Sequence, residues 1–194
     1  KAAKSPYHEL YHESSIWDWQ ALLGTLFARL GMGDTQGVKQ RMGKVFDDVP
    51  QALAKRLTVE LTSALLDQNE VLLAWEIIEP RLSKDVVSVV PVVLDIARYY
   101  IRQEGRAPAL NWLTTVSANF GELLTDYQFC TAMYELAVDL NEKKTIHELL
   151  WILVEFEETP ESIYAALAND LLSRGRLDEA ERVQEKRDNL FKDD

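Results

Sequence analysis

A single cysteine, Cys130, stands in the 194 residues. No disulfide can close within the chain, so cross-links are excluded as a source of stability, and a reducing compartment fits. Cys130 falls in an apolar helical pattern and is expected to be a buried, inert thiol. No apolar run approaches the ~20 residues of a membrane span. The longest candidate, Val86 to Ile101, is broken by Pro91, Asp95 and Arg98, so no membrane insertion is expected. Basic residues are in deficit, 21 against 32 acidic, for a net charge of -11. Such a balance repels phosphate backbones and makes nucleic acid an unfavoured partner. Nucleophile elbows and dinucleotide fingerprints are missing, and no Cys/His cluster suggests a metal site. Gly31-Met-Gly33 has no Lys-Ser/Thr after it and reads as a helix stop, not a phosphate loop. These gaps point away from an enzyme, from a bound cofactor and from a small-molecule substrate.

What fills the chain is helical periodicity. Residues 1–15 are polar and rich in Tyr and His, and are expected to form an N-terminal arm; residues 16–194 are expected to form one helical domain. Ile16, Trp19, Leu22, Leu23, Leu26, Phe27 and Leu30 make one stripe, ended by Gly31 and Gly33. Val38, Met42, Val45 and Phe46 make a shorter second. Leu53, Leu57, Leu61 and Leu65 line a third helix, and Val71, Ala74, Trp75 and Ile78 a fourth that ends near Pro80. A fifth is expected from about Ser88 to Glu104, with Pro91 in or near its first turn. Gly105 opens a sixth that runs to about Asn119. Asp126 to Asn141 and Thr145 to Glu157 give the seventh and eighth. Thr159-Pro160-Glu161 has the residues of a helix start, a capping Thr followed by Pro and an acid. Arg176 to Phe191 closes the series.

The helices repeat in pairs. Gly175, Leu177, Ala180 and Val183 match Gly105, Ala107, Leu110 and Leu113 seventy residues upstream, and Asn69, Val71, Ala74 and Ile77 before those. Leu167 and Leu171 match Ala97 and Ile101, then Leu61 and Leu65. The pair at Asp126 to Glu158 fits with a few residues of slippage and the one at Ile16 to Asp47 loosely. A two-helix hairpin cannot bury its apolar face alone, so it stacks on the next. Tyr164-Ala-Ala-Leu167 followed by Leu171-Leu-Ser-Arg-Gly175-Arg-Leu-Asp-Glu-Ala180 resembles a pentatricopeptide or tetratricopeptide hairpin, and the spacing of about 35 residues leans to the former. That resemblance implies an all-α fold, a right-handed α-solenoid of about five antiparallel helix pairs. It implies an interaction protein, a scaffold or accessory subunit of a larger assembly. It also points to mitochondria or chloroplasts, and a chain that opens at Lys1 permits a cleaved presequence.

Pentatricopeptide families often read RNA, one base per repeat, which leaves an organellar RNA-binding protein as the alternative. The positions that would read bases here are Ala165, Asp95 and Val59, and only Asp95 is chemically suited. A remote third reading is a zinc hydrolase. His8-Glu9-Leu10-Tyr11-His12 is a literal H-E-x-x-H, in which His8 and His12 would hold metal and Glu9 act as base. No preceding sheet supplies a cleft, and the motif is expected to be part of the polar arm. Tyr7 and Tyr11 are then candidate anchors for a protein partner. Trp75, Trp112 and Trp151 fall on the second helices of successive hairpins, as inter-repeat core or as contact points. Glu155-Phe156-Glu157-Glu158 with Glu161 is an acidic knot suited to a basic partner, with Phe156 as its anchor. His147 is expected to be an ordinary helix residue.

Overall fold

The computed structural model describes residues 16–48, 51–82 and 86–191. Those residues form ten α-helices and no strand. They are α1 (Ile16–Gly31), α2 (Thr35–Asp48), α3 (Gln51–Asp67), α4 (Val71–Ile78), α5 (Val86–Gln103), α6 (Arg106–Asn119), α7 (Tyr127–Asp139), α8 (Lys143–Leu153), α9 (Glu161–Ser173) and α10 (Leu177–Leu190). The expected N-terminal arm, with Tyr7, His8, Glu9, Tyr11 and His12, lies outside the described residues. No helix among the described residues is long and apolar enough to cross a membrane.

The chain divides into two compact units, Lys1–Tyr99 and Tyr100–Asp194, with the boundary inside α5. In the first unit α1 packs on α2 and α3 on α4. The two hairpins also meet through α1 on α3 and α2 on α4, where Lys39 pairs with Glu76. Leu26, Val38, Leu57, Leu61, Leu65, Ala74 and Ile78 are buried between them. In the second unit α6, α7, α8, α9 and α10 each pack on the next in sequence. Phe129, Met133 and Ala137 of α7 are buried, as are Leu149, Leu150 and Leu153 of α8. Leu150 and Val154 then join Tyr164, Leu167, Ala168, Leu171, Ala180 and Val183 in one apolar cluster. Burial thus runs between sequence neighbours, as the hairpin pattern requires.

The turns carry the repeat more clearly than the helices do. Residues with positive φ are Gly33, Asn69, Gly105, Asn141 and Gly175, at intervals of 36, 36, 36 and 34. At four of them the next residue's N–H reaches back five positions, closing the helix end: Asp34 to Arg29 at 2.9 Å, Glu70 to Leu65 at 2.8 Å, Glu142 to Ala137 at 2.9 Å and Arg176 to Leu171 at 2.9 Å. The carbonyls of Asp34, Glu70, Glu142 and Arg176 then accept the first bonds of the following helix, from Val38, Ala74, Ile146 and Ala180. One backbone device therefore ends one helix and starts its partner. Gly105 departs from it, with φ 100° and ψ -178°, and is itself the cap of α6. Asn141 puts the fourth hairpin in register: Met133 and Ala137 stand where Leu167 and Leu171 stand before Gly175.

Replacing Gly175 by Val is expected to cost about 1–2 kcal/mol, because a branched side chain is forced into the left-handed region. A Cβ there meets no other atom, so the penalty is conformational. Gly175→Asn is expected to cost only a few tenths of that, since Asn69 and Asn141 hold the same conformation. Urea denaturation of the two variants checks the ranking.

Three boundaries differ from the sequence expectation. Pro91 is the sixth residue of α5, past the first turn; it removes one helical hydrogen bond, which the flanking burial of Val89, Val90, Val92 and Val93 outweighs. α8 starts two residues earlier than expected, at Lys143, and ends at Leu153, so Glu155 to Glu158 of the acidic knot lie in the turn that follows and Glu161 opens α9. Thr159 does not cap α9. The cap position is Pro160, in extended conformation, and the buried Thr159 hydroxyl instead donates to the carbonyl of Leu153 at the end of α8. A five-residue 3-10 segment, Gly121–Thr125, precedes α7. Asp126 caps α7 by accepting from the Phe129 N–H at 3.0 Å.

Candidate protein-binding cleft

Hairpins four (α7, α8) and five (α9, α10) of the second unit enclose an open cleft of about 270 Å³. Trp151 and Val154 from the end of α8, Tyr164 of α9 and Val183 of α10 make its apolar lining; Glu155, Glu179, Arg182 and Lys186 make its polar one. Tyr164 occupies the hairpin position held by Leu94 and Thr58 in earlier copies, eleven residues before the turn. Its ring spans from α9 to the end of α8, where the hydroxyl donates to the Val154 carbonyl at 3.0 Å. Its edge meets Phe191, ring centroids 5.8 Å apart. On α10, Glu179, Arg182, Val183 and Lys186 recur at helical spacing and so face the cleft together.

Each aromatic ring of the cleft is covered by a cation. The Arg176 guanidinium lies over Trp151, 5.9 Å from the ring centroid, and is held by two bonds to Glu179 of 2.7 and 2.5 Å. Those hydrogen bonds keep the Glu179 carboxyl below the usual carboxylate range and push Arg176 up. The Lys186 ammonium lies 5.8 Å from the Tyr164 centroid. It donates to the Val154 carbonyl at 3.1 Å and approaches Glu155 at 3.4 Å. Arg182 is exposed, and its charge helps to lower the Glu179 carboxyl.

A polar network joins α8 to the residues around the Gly175 turn. His147 contacts Asp170 through Nδ1 at 2.5 Å, and Arg176 Nη1 stands 3.3 Å from its Nε2. Arg176 can only donate, so the tautomer that satisfies both contacts carries its proton on Nδ1. Arg174 donates to Asp170 at 2.9 Å and to the Lys143 carbonyl at 3.2 Å. The network ties α8 to α9 and α10. His147 is thus part of the joint between two hairpins, edge-on to Trp151 with centroids 6.5 Å apart.

The residues singled out from sequence do not form one site. Trp75 is half-buried on α4 in the first unit, and Trp112 is half-buried on α6, tilted against Tyr100 at 5.6 Å. Only Trp151 lines the cleft. Phe156 turns away from it and packs edge-on to Tyr127 at 5.6 Å. Tyr164, Glu179, Arg182 and Lys186 were not singled out as binding residues; the stripe on α10 was the available signal. At the base-reading positions, Val59 and Ala165 are half-buried, and the Asp95 carboxylate is taken by Arg98 at 2.6 Å. Among the described residues no group of three or more His, Cys, Asp or Glu is placed to hold a metal ion. The sequence matches no protein-family model and no curated protein.

Cys130 is buried on α7, where its thiol approaches the Leu124 carbonyl at 3.3 Å. Burial, with Asp126 adding to it, pushes the thiol from 9.0 up to about 12. The folded protein is therefore expected to resist thiol reagents at about pH 8 and to react only on unfolding. The shift has a stability consequence. As pH climbs from 9.0 towards 12, the unfolded thiol ionises while the native one does not, so stability falls across that window. Labelling kinetics with and without urea check the first point, and urea midpoints against pH the second.

Proposed function

We propose that the chain is a non-catalytic helical-repeat scaffold or accessory subunit that holds a protein partner within a larger assembly. The observation that carries this reading is the turn residue of positive φ that recurs at Gly33, Asn69, Gly105, Asn141 and Gly175, four of them with the same backbone closure. A regular series of hairpins leaves extended surface for gripping another chain. The cleft agrees with that role. At about 270 Å³ it is below the ~300–1,000 Å³ of ligand pockets, and suits a side chain of a partner better than a cofactor. The finer architecture belongs to the same proposal: a right-handed superhelix of the pentatricopeptide or tetratricopeptide kind. The compartment proposed with it, the mitochondrial matrix, rests on that resemblance alone.

Affinity purification from the native source, with mass spectrometry of what co-elutes, tests the reading. The expected result is one or a few proteins retained in fixed ratio through size-exclusion chromatography. A chain that elutes alone under gentle lysis, at the mass of a monomer, contradicts it.

A further inference from the structure

We propose that the cleft between α8 and α10 binds a basic segment of a protein partner, a cationic side chain of which takes the place that Lys186 or Arg176 holds over Tyr164 or Trp151. The inference rests on the scaffold reading and names the chemistry of its partner. Its basis is a duplicated arrangement: Trp151 with Glu179 holds one cation, and Tyr164 with Glu155 holds another. An aromatic face beside a carboxylate is a cation-binding pair, because the ring quadrupole and the formal charge attract the same group. In the free chain both pairs are filled from hairpin five itself, by Arg176 at the cap of α10 and by Lys186 on α10.

The resident cations are exchangeable. The side chains of Arg176 and Glu179 are 40% and 38% exposed, and those of Lys186 and Glu155 are 47% and 74% exposed. The single, open Lys186–Glu155 contact contributes little, so an incoming Arg or Lys meets the smaller barrier at Tyr164; the two-bonded Arg176–Glu179 pair is the harder one to displace. Charge favours the same sign of partner. Residues 155–188 hold ten acids against five bases, a net of -5 within a chain of -11. Glu157 and Glu158, two and three residues after Glu155, are exposed. Such a field draws a basic segment in and repels an acidic one. Arg182, Lys186 and Arg176 are themselves cations at the cleft, so an incoming cation must replace a resident one and not add to them.

The full chain is titrated against three fluorescent peptides of equal length, in which Leu alternates with Arg, with Gln or with Glu, and anisotropy is read. Binding of the Arg peptide is expected to exceed that of the other two. The double variant Glu155→Gln/Glu179→Gln is expected to weaken it about tenfold. The control Glu157→Gln/Glu158→Gln removes the same charge outside the cleft and is expected to change it less than about twofold. Lys186→Gln, which vacates one ring, is expected to tighten it. Equal losses in the two double variants would reduce the effect to unspecific attraction and overturn the proposal. So would preference for the Glu peptide, or no binding of any. Circular dichroism confirms that the exposed substitutions leave the fold intact. If the cleft variant still retains the partner purified from the native source, the cleft inference fails and the scaffold reading stands.

Discussion

Phe129→Ala is expected to destabilise the second unit by about 3–5 kcal/mol. Phe129 is fully buried on α7 and is among the largest side chains with no exposed surface. Its removal loses the transfer energy of a phenyl ring and leaves a hole that close-packed helices fill only in part. The loss is a large fraction of the ~5–15 kcal/mol that holds a domain together. The thermal midpoint is expected to drop by more than about 10 °C. Phe129→Leu is expected to cost roughly half as much or less, since most of the volume is kept. The contrast case is Leu172→Ala on α9. Leu172 is 43% exposed, and its truncation is expected to stay within about 0.5 kcal/mol. If Phe129 and Leu172 cost alike in urea titrations, the burial pattern described for hairpins four and five is wrong.

Leu171→Ala has the second largest expected effect, a loss of about 2–5 kcal/mol. Leu171 has no exposed surface and sits in the cluster where Leu150 and Val154 of hairpin four meet Tyr164, Leu167, Ala180 and Val183 of hairpin five. Its backbone carbonyl accepts from Arg176 at the left-handed turn, and that bond survives the substitution. The damage is therefore to packing and not to the turn. In stacked hairpins the cost falls on the mutated pair and its neighbour, because each unit of structure is stabilised by the one beside it. A protein with one shared core would spread the same loss over every helix.

These effects trace back to features with unequal visibility in the sequence. The helices and most of their buried stripes followed from apolar spacing, and Asn69, Gly105 and Gly175 already marked three turns. Asn141 did not stand out, because it lies 34 residues before Gly175 where the other intervals are 36; the fourth hairpin then looked slipped, although φ there is 55°. Thr159 carries the residue type of a cap, but a hydroxyl six residues from Leu153 in sequence found that carbonyl instead. Local chemistry alone does not decide between the two partners. Pro91 was expected nearer its helix start because the missing hydrogen bond is local, while the burial that offsets it is not. The cleft was the least legible feature. It depends on Tyr164 bridging to Val154 and on Trp151 and Glu155 lying beside Glu179, Arg182 and Lys186 of the next hairpin, and no spacing rule encodes such a meeting. Trp151, Trp112 and Trp75 looked equivalent by position, yet of the three it is Trp151 that lines the cleft.

Segment-resolved hydrogen exchange of the Leu171→Ala chain tests the central claim most directly, namely that within the second unit each helix pair is stabilised mainly by the one next to it in sequence. Protection is expected to fall in α9 and α10, to a lesser degree in α8, and to remain unchanged in α6. A uniform loss from α6 to α10 would contradict a unit built from successive hairpins and, with it, the scaffold role inferred from them.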